Sequence, residues 1–135
     1  MDKNLKEIFD AYKHNNNASK LLAKFAETVV PNNNEKDPTW AYGAQNFLQA
    51  AMLSLLQNPK VTEDTFTLDA IKKAVELGVI DDPADLKNTK QVRLLKYFKN
   101  QSLECRQLAD GVISNAPSTF LNYLSLLYIY LVKIN

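Results

Sequence analysis

The chain has one cysteine and one histidine, Cys105 and His14, in 135 residues. An intramolecular disulfide is therefore impossible, and a His/Cys metal cluster cannot be assembled from one of each. Glycine is scarce as well, at Gly43, Gly78 and Gly111. A sheet-rich fold with many tight turns would need more, and β-branched clusters are sparse, so the balance points to helices. No apolar run reaches the roughly 20 residues needed to cross a bilayer. The longest, Phe120 to Ile134, carries Asn122 and Ser125. It is expected to be a buried and central core helix without membrane insertion. The start, MDKNLKEIFD, has no apolar signal-peptide core. With so little cysteine, a reducing compartment is expected.

Chemistry-bearing motifs are missing too. There is no G-x-x-x-x-G-K-[ST] and no G-x-G-x-x-G, so nothing cradles a nucleotide phosphate. Nucleophilic catalysis would need His14 as base, yet it adjoins Asn15, Asn16 and Asn17 and reads as a solvated surface residue. Cys105 lies on an apolar helix face and reads as a small core hydrophobe. The pairs Glu63-Asp64 and Asp81-Asp82 read as loop acids and caps, with no pocket around them. No catalytic residue, metal or cofactor is expected, which leaves binding.

What is present suits one all-α domain, a single compact bundle of about six or seven helices. A chain of this length buries roughly 65–70% of its unfolded surface, enough to fold without metal or disulfide. Leu5, Ile8, Phe9 and Tyr12 recur at helical spacing up to the asparagine run. Leu21, Leu22, Phe25, Ala26 and Val29 form a second stripe, stopped before Pro31 and followed by a polar loop from Asn32 to Lys36. A third helix opens with Asp37 as N-cap and Pro38 in its first position, carries Trp40, Ala44, Phe47, Leu48, Ala51 and Leu55, and ends at Asn58-Pro59. Thr67 caps a shorter helix with Leu68, Ile71, Ala74 and Val75 inward, closed by Gly78 with Val79. Asp82-Pro83 opens another helical region, either one helix to about Asn100 or two, restarted at Thr89. Cys105, Leu108, Ala109, Val112, Ile113 and Ala116 mark the next face, and Pro117 starts the last helix.

The net charge of +1 gives no overall pull towards nucleic acid, but its distribution is uneven. From Lys60 to Leu86 three lysines stand against seven acids. From Lys87 to Arg106 six basic residues stand against Glu104 alone. Lys87, Lys90, Arg93, Lys96 and Lys99 recur every three residues, with Arg106 beyond and Tyr97 and Phe98 interleaved. A three-residue step turns the row by about 60° each time, so neighbours share a face while the whole row winds round the helix. Two readings stay open. The row is a solvated face over buried Val92, Leu95 and Phe98, or it is a patch for single-stranded DNA, with cations along the backbone and rings stacked on bases.

The segment DPTWAYGAQNFLQAAMLSLL, Asp37 to Leu56, resembles the entry helix of the all-α domain of type IV secretion coupling proteins. These are hexameric membrane ATPases that deliver DNA–protein substrates to a conjugation channel. Asp37, Pro38, Trp40, Ala44, Leu48 and Ala51 match the family's pattern, while Thr39 stands where an aromatic is usual. A second stretch, Lys96 to Leu131, resembles the family's closing helices. The likeness runs roughly from Asp37 to Leu131, is ill-defined between Lys60 and Lys90, and is only generic over Met1 to Lys36.

The resemblance implies a domain inserted into a nucleotide-binding domain, which would make this chain an excised piece with Met1 as a start residue. It implies a place on the cytoplasmic end of a hexamer anchored at the cytoplasmic membrane. It also implies substrate recognition: of a relaxase, of accessory protein and of DNA, alongside the rest of the ATPase hexamer. Trp40 becomes a core anchor, and the isolated domain is expected to be monomeric. The rival expectation is a stand-alone helical protein-interaction module with no DNA role. A small DNA-binding regulator fits less well, given the near-neutral charge and the lack of a helix-turn-helix recognition helix.

Overall fold

The computed structural model describes residues 2–31, 38–77 and 89–134, which form seven helices and no strand. They are α1 (Asp2–Lys13), α2 (Ala18–Val29), α3 (Thr39–Leu56), α4 (Leu68–Leu77), α5 (Lys90–Lys99), α6 (Leu103–Ile113) and α7 (Pro117–Val132). The all-α expectation holds, and the seven helices of the described residues agree with the six or seven read from the sequence. The expected N-cap Asp37, the closing pair Gly78-Val79, the start at Asp82-Pro83 and the basic residue Lys87 lie outside the described residues.

The boundaries follow local chemistry. Asn15 takes a left-handed conformation (φ 52°) just past α1. Asn16 N–H then donates to Ala11 O at 2.8 Å and Asn15 N–H to Tyr12 O at 3.3 Å. This is the paired closure in which a left-handed residue returns two N–H groups to the last carbonyls of a helix. The asparagine run thus ends α1 by an identifiable mechanism. Pro38 already has helical dihedrals, and its carbonyl accepts Tyr42 N–H at 2.9 Å. Thr67 accepts Ala70 N–H through its hydroxyl at the head of α4. Thr89 does the same for Val92 N–H at the head of α5, so a helix begins there. Pro117 takes the first position of α7 as read from the sequence.

The centre of the bundle is α3, which packs against α2, α4, α6 and α7. From Ala50 to Leu56 every residue is buried, so α3 is enclosed on all sides over its last two turns. Its most extensive neighbour is α6, where small side chains let the helices approach. Ala50, Ala51, Cys105 and Ala109 are all buried, and the Cys105 thiol donates across to Ala50 O at 3.1 Å. Buried Gln45 crosses to α2 and donates to Val30 O. At Gly43 α7 approaches closely: a Cβ there would lie 2.5 Å from Cε1 of Tyr123. The Tyr123 ring is wedged against Trp40 with centroids 4.3 Å apart, which makes Trp40 part of the packing between α3 and α7.

One expectation fails. The last helix is not the central one: Phe120, Tyr123, Leu124, Leu127 and Leu131 are buried, but Leu121, Tyr128, Ile129 and Val132 face solvent. An apolar sequence all round a helix is evidence for burial only when neighbours exist on all sides, and that place is taken by α3. No helix among the described residues is long and apolar enough to cross a membrane.

Candidate binding face on α5 and α6

α5 and α6 form an antiparallel hairpin, and three side chains set its geometry. Gln91 Nε2, in the first turn of α5, donates to Ile113 O at 2.9 Å and Asn115 O at 2.8 Å, closing the carboxyl end of α6. Ser102 Oγ accepts Cys105 N–H as the N-cap of α6 and also accepts Gln57 Nε2 at 3.0 Å, tying that cap to the end of α3. Phe98 inserts between the helices and meets Phe47 of α3 edge-on at 5.6 Å.

This packing fixes which way α5 faces. Leu94 and Phe98, four residues apart, are buried. Val92 and Leu95, read from the sequence as lying inward, are each 49% exposed. Steps of three precess around the helix, while a step of four stays near one line, and the core took the 94/98 line. Phe98 at 3% exposure offers no stacking surface, and Tyr97 is half-buried with its ring edge-on to Phe98. The expected alternation of cations with base-stacking rings is therefore not formed.

The basic row is divided by the same precession. Lys90 lies beside Leu121 and Leu124 of α7 and Val75 of α4. Arg93 is half-buried and Lys96 is exposed. Lys99 comes round to the other side, where it shares a groove of about 170 Å³ with Arg106. Leu95, Phe98, Ala109, Asp110 and Ile113 complete the groove. The structure thus brings Lys99 and Arg106 together, places Lys96 one turn away along α5, and separates Lys90 from them. Two features of the groove were not read from the sequence: exposed Leu95 gives it an apolar wall, and Asp110 supplies one carboxylate. Asp110 follows Arg106 by four residues, a spacing that puts both on one helix face, and that was the available signal.

Helix electrostatics distinguish the cations. Lys96 and Lys99 stand in the last turn of α5, where a positive charge is favourable against the carbonyl end by roughly 0.3–1 kcal/mol. Arg106 is the fourth residue of α6, in the turn where the same dipole disfavours a cation and favours the acid Glu104. The stability of the helix explains the lysines and does not explain Arg106.

His14 and Cys105 occupy the places expected of them. His14 is exposed at the end of α1, with Nδ1 2.9 Å from Asp10 O. Cys105 is fully enclosed, and burial, with a smaller contribution from Glu104, pushes its thiol up to about 12. Among the described residues no group of three or more His, Cys, Asp or Glu could hold a metal ion. Compared with protein-family models, curated proteins and solved structures, the chain matches none of them.

Proposed function

We propose that this chain is a substrate-recognition domain of a conjugative type IV secretion coupling protein, docking relaxosome components on the α5–α6 face. The reading draws on the likeness of Asp37–Leu56 and Lys96–Leu131 to that family. One observation supports the location: Lys99 and Arg106, seven residues apart in sequence, flank one groove, and Arg106 stands where its own helix disfavours it. Two cations against the single carboxylate of Asp110, beside an apolar wall, leave the groove net positive and suit an acidic partner, either the phosphate backbone of DNA or an acidic patch of relaxase or accessory protein. With Phe98 in the core, DNA contact would be to phosphates and not to stacked bases, so affinity would be weakly sequence-dependent.

The test is fluorescence anisotropy of a labelled single-stranded oligonucleotide across a salt series. Binding should weaken as salt rises, and the Lys99→Glu/Arg106→Glu variant should lower the log–log slope by about 1.4, or 0.7 per lost phosphate contact. The same charge change on exposed Lys3 and Lys6 of α1 should leave that slope nearly as in wild type. Equal losses in the two variants would remove the α5–α6 face as the site, and no binding at low salt would remove DNA from the reading.

The groove's apolar wall at Leu95 favours a second reading, a stand-alone protein-interaction module. Flanking ATPase motifs in the native gene would support the first, and an immediate natural stop the second.

A further inference from the structure

The groove between α5 and α6 has a direction. Along α5, Leu95 lies four residues before Lys99; along α6, Asp110 lies four residues after Arg106. The two helices are antiparallel, so both steps lead away from the turn between them, by about 6 Å at roughly 1.5 Å per residue. The groove therefore holds two cations at its turn end, and an apolar side chain with one carboxylate a helical turn further on. Buried Phe98, Ala109 and Ile113 complete its lining. Lys99, Arg106 and Asp110 are exposed. Among the described residues none of the three forms an ion pair, although the spacing of Arg106 and Asp110 would permit one.

We propose that this groove takes a short acidic peptide segment in extended form, with a carboxylate and a large apolar side chain two residues apart. The proposal rests on the α5–α6 face being the docking surface, and it names what docks there. The carboxylate lies between Lys99 and Arg106, whose charges no neighbour neutralises. In an extended chain, side chains two residues apart share a face and stand about 6.6 Å from one another. That is the separation between the cation end and Leu95, which keeps 49% of its surface in water. A volume of about 170 Å³ is below the roughly 300–1,000 Å³ of pockets that enclose a whole small ligand, and it suits a side chain. Asp110 accepts a backbone N–H that the peptide brings in beside its apolar residue.

A DNA strand meets these features less well. Its phosphates suit Lys99 and Arg106, but charge follows charge along the backbone, and a further phosphate is brought towards Asp110. The backbone has no apolar side chain to cover Leu95, and with Phe98 buried there is no ring on which a base would stack. A peptide places an acid at one end of the groove and an apolar group at the other, as the lining requires.

The test is a titration of the isotope-labelled whole chain, followed by amide chemical shifts, with the peptide Gly-Glu-Glu-Ser-Phe-Ser-Gly blocked at both termini. The amides of Leu95, Lys99, Arg106 and Asp110 should move together and saturate. Replacing the phenylalanine by serine should weaken binding about fivefold or more, the effect of covering part of such a side chain. Replacing both glutamates by glutamine should weaken it at least as much, since charge-assisted contacts are lost. Leu95→Ser, at a half-exposed position, should abolish the preference for phenylalanine and keep the preference for glutamate. Lys99→Glu/Arg106→Glu should remove the preference for glutamate, with the dispersion of shifts in each variant showing an intact bundle. No saturable shift on this face, or equal affinity for the phenylalanine and serine peptides, overturns the proposal. If a labelled oligonucleotide then still binds through Lys99 and Arg106, the wider reading stands and the groove belongs to DNA. If neither ligand binds this face, both fall.

Discussion

Gly43→Ala is the substitution for which helix propensity and packing give opposite signs. Gly43 lies inside α3, where alanine in place of glycine stabilises an isolated helix by about 1 kcal/mol. The added Cβ would sit 2.5 Å from Cε1, 3.0 Å from Cζ and 3.1 Å from Oη of Tyr123. Carbon atoms in good contact are roughly 3.5–4.0 Å apart, so the ring must move by about 1 Å. It cannot swing freely, because Tyr123 is 8% exposed and its other face meets Trp40. Overpacking of this kind costs about 1–3 kcal/mol, so the net is a loss of up to about 2 kcal/mol, or a fall in Tm of up to about 7 °C. In a Tyr123→Leu background the obstructing atoms are gone, and Gly43→Ala should there be stabilising by up to about 1 kcal/mol. Urea unfolding followed by circular dichroism gives the two differences. Emission from Trp40, the only tryptophan, reports displacement of the ring. If Gly43→Ala stabilises the native background, or acts alike in both backgrounds, the close approach of α7 to α3 is wrong.

Gln91→Ala should cost about 1–2 kcal/mol by leaving two carbonyls of the α6 terminus without their donor, read from the urea midpoint. Gln91→Glu should be worse at pH 7. Its carboxyl, aimed at two carbonyls, holds its proton more tightly when folded, so stability is retained below the ordinary carboxylate range and lost as pH rises through the raised value. Cys105, held up to about 12, carries about a thousandfold less thiolate at pH 8 than an ordinary thiol. A thiol reagent should therefore modify it no faster than the chain unfolds. Because the unfolded thiol ionises near 9.0 and the folded one does not, stability should fall as pH rises above about 9, and Cys105→Ala should remove that part of the fall. Ser102→Ala removes the N-cap of α6 and should lower stability by about 1 kcal/mol.

The ends of the helices were legible because they rest on short-range chemistry. The asparagine closure of α1, the caps at Thr67 and Thr89 and the proline at the start of α7 all act within a few residues of themselves. The facing of the helices was less so. On α5 the 92/95/98 and 94/98 spacings compete within ten residues, and the aromatic pairing of Phe98 with Phe47 settles the choice from 51 positions away. For α7 the apolar content was plain, but which helix is enclosed depends on how α3 packs against its four neighbours, an arrangement no single segment records. The candidate site shows the same division. Its charges were visible as a row, whereas the union of Lys99 with Arg106, and their separation from Lys90, required the hairpin to be built.

Because α3 touches α2, α4, α6 and α7, no large part of the bundle can open without baring it. Amide exchange should accordingly be slowest in the two turns from Ala50 to Leu56, at a rate set by global unfolding. α5 packs mainly on α4 and α6 and reaches α3 through Phe98 and Phe47, so it is less enclosed than α3 and its amides should exchange by a faster, local route. A ligand held at Lys99 and Arg106 would straddle a readily opened helix and a permanently anchored one. Binding there would register first as protection of α5, before any change in α3.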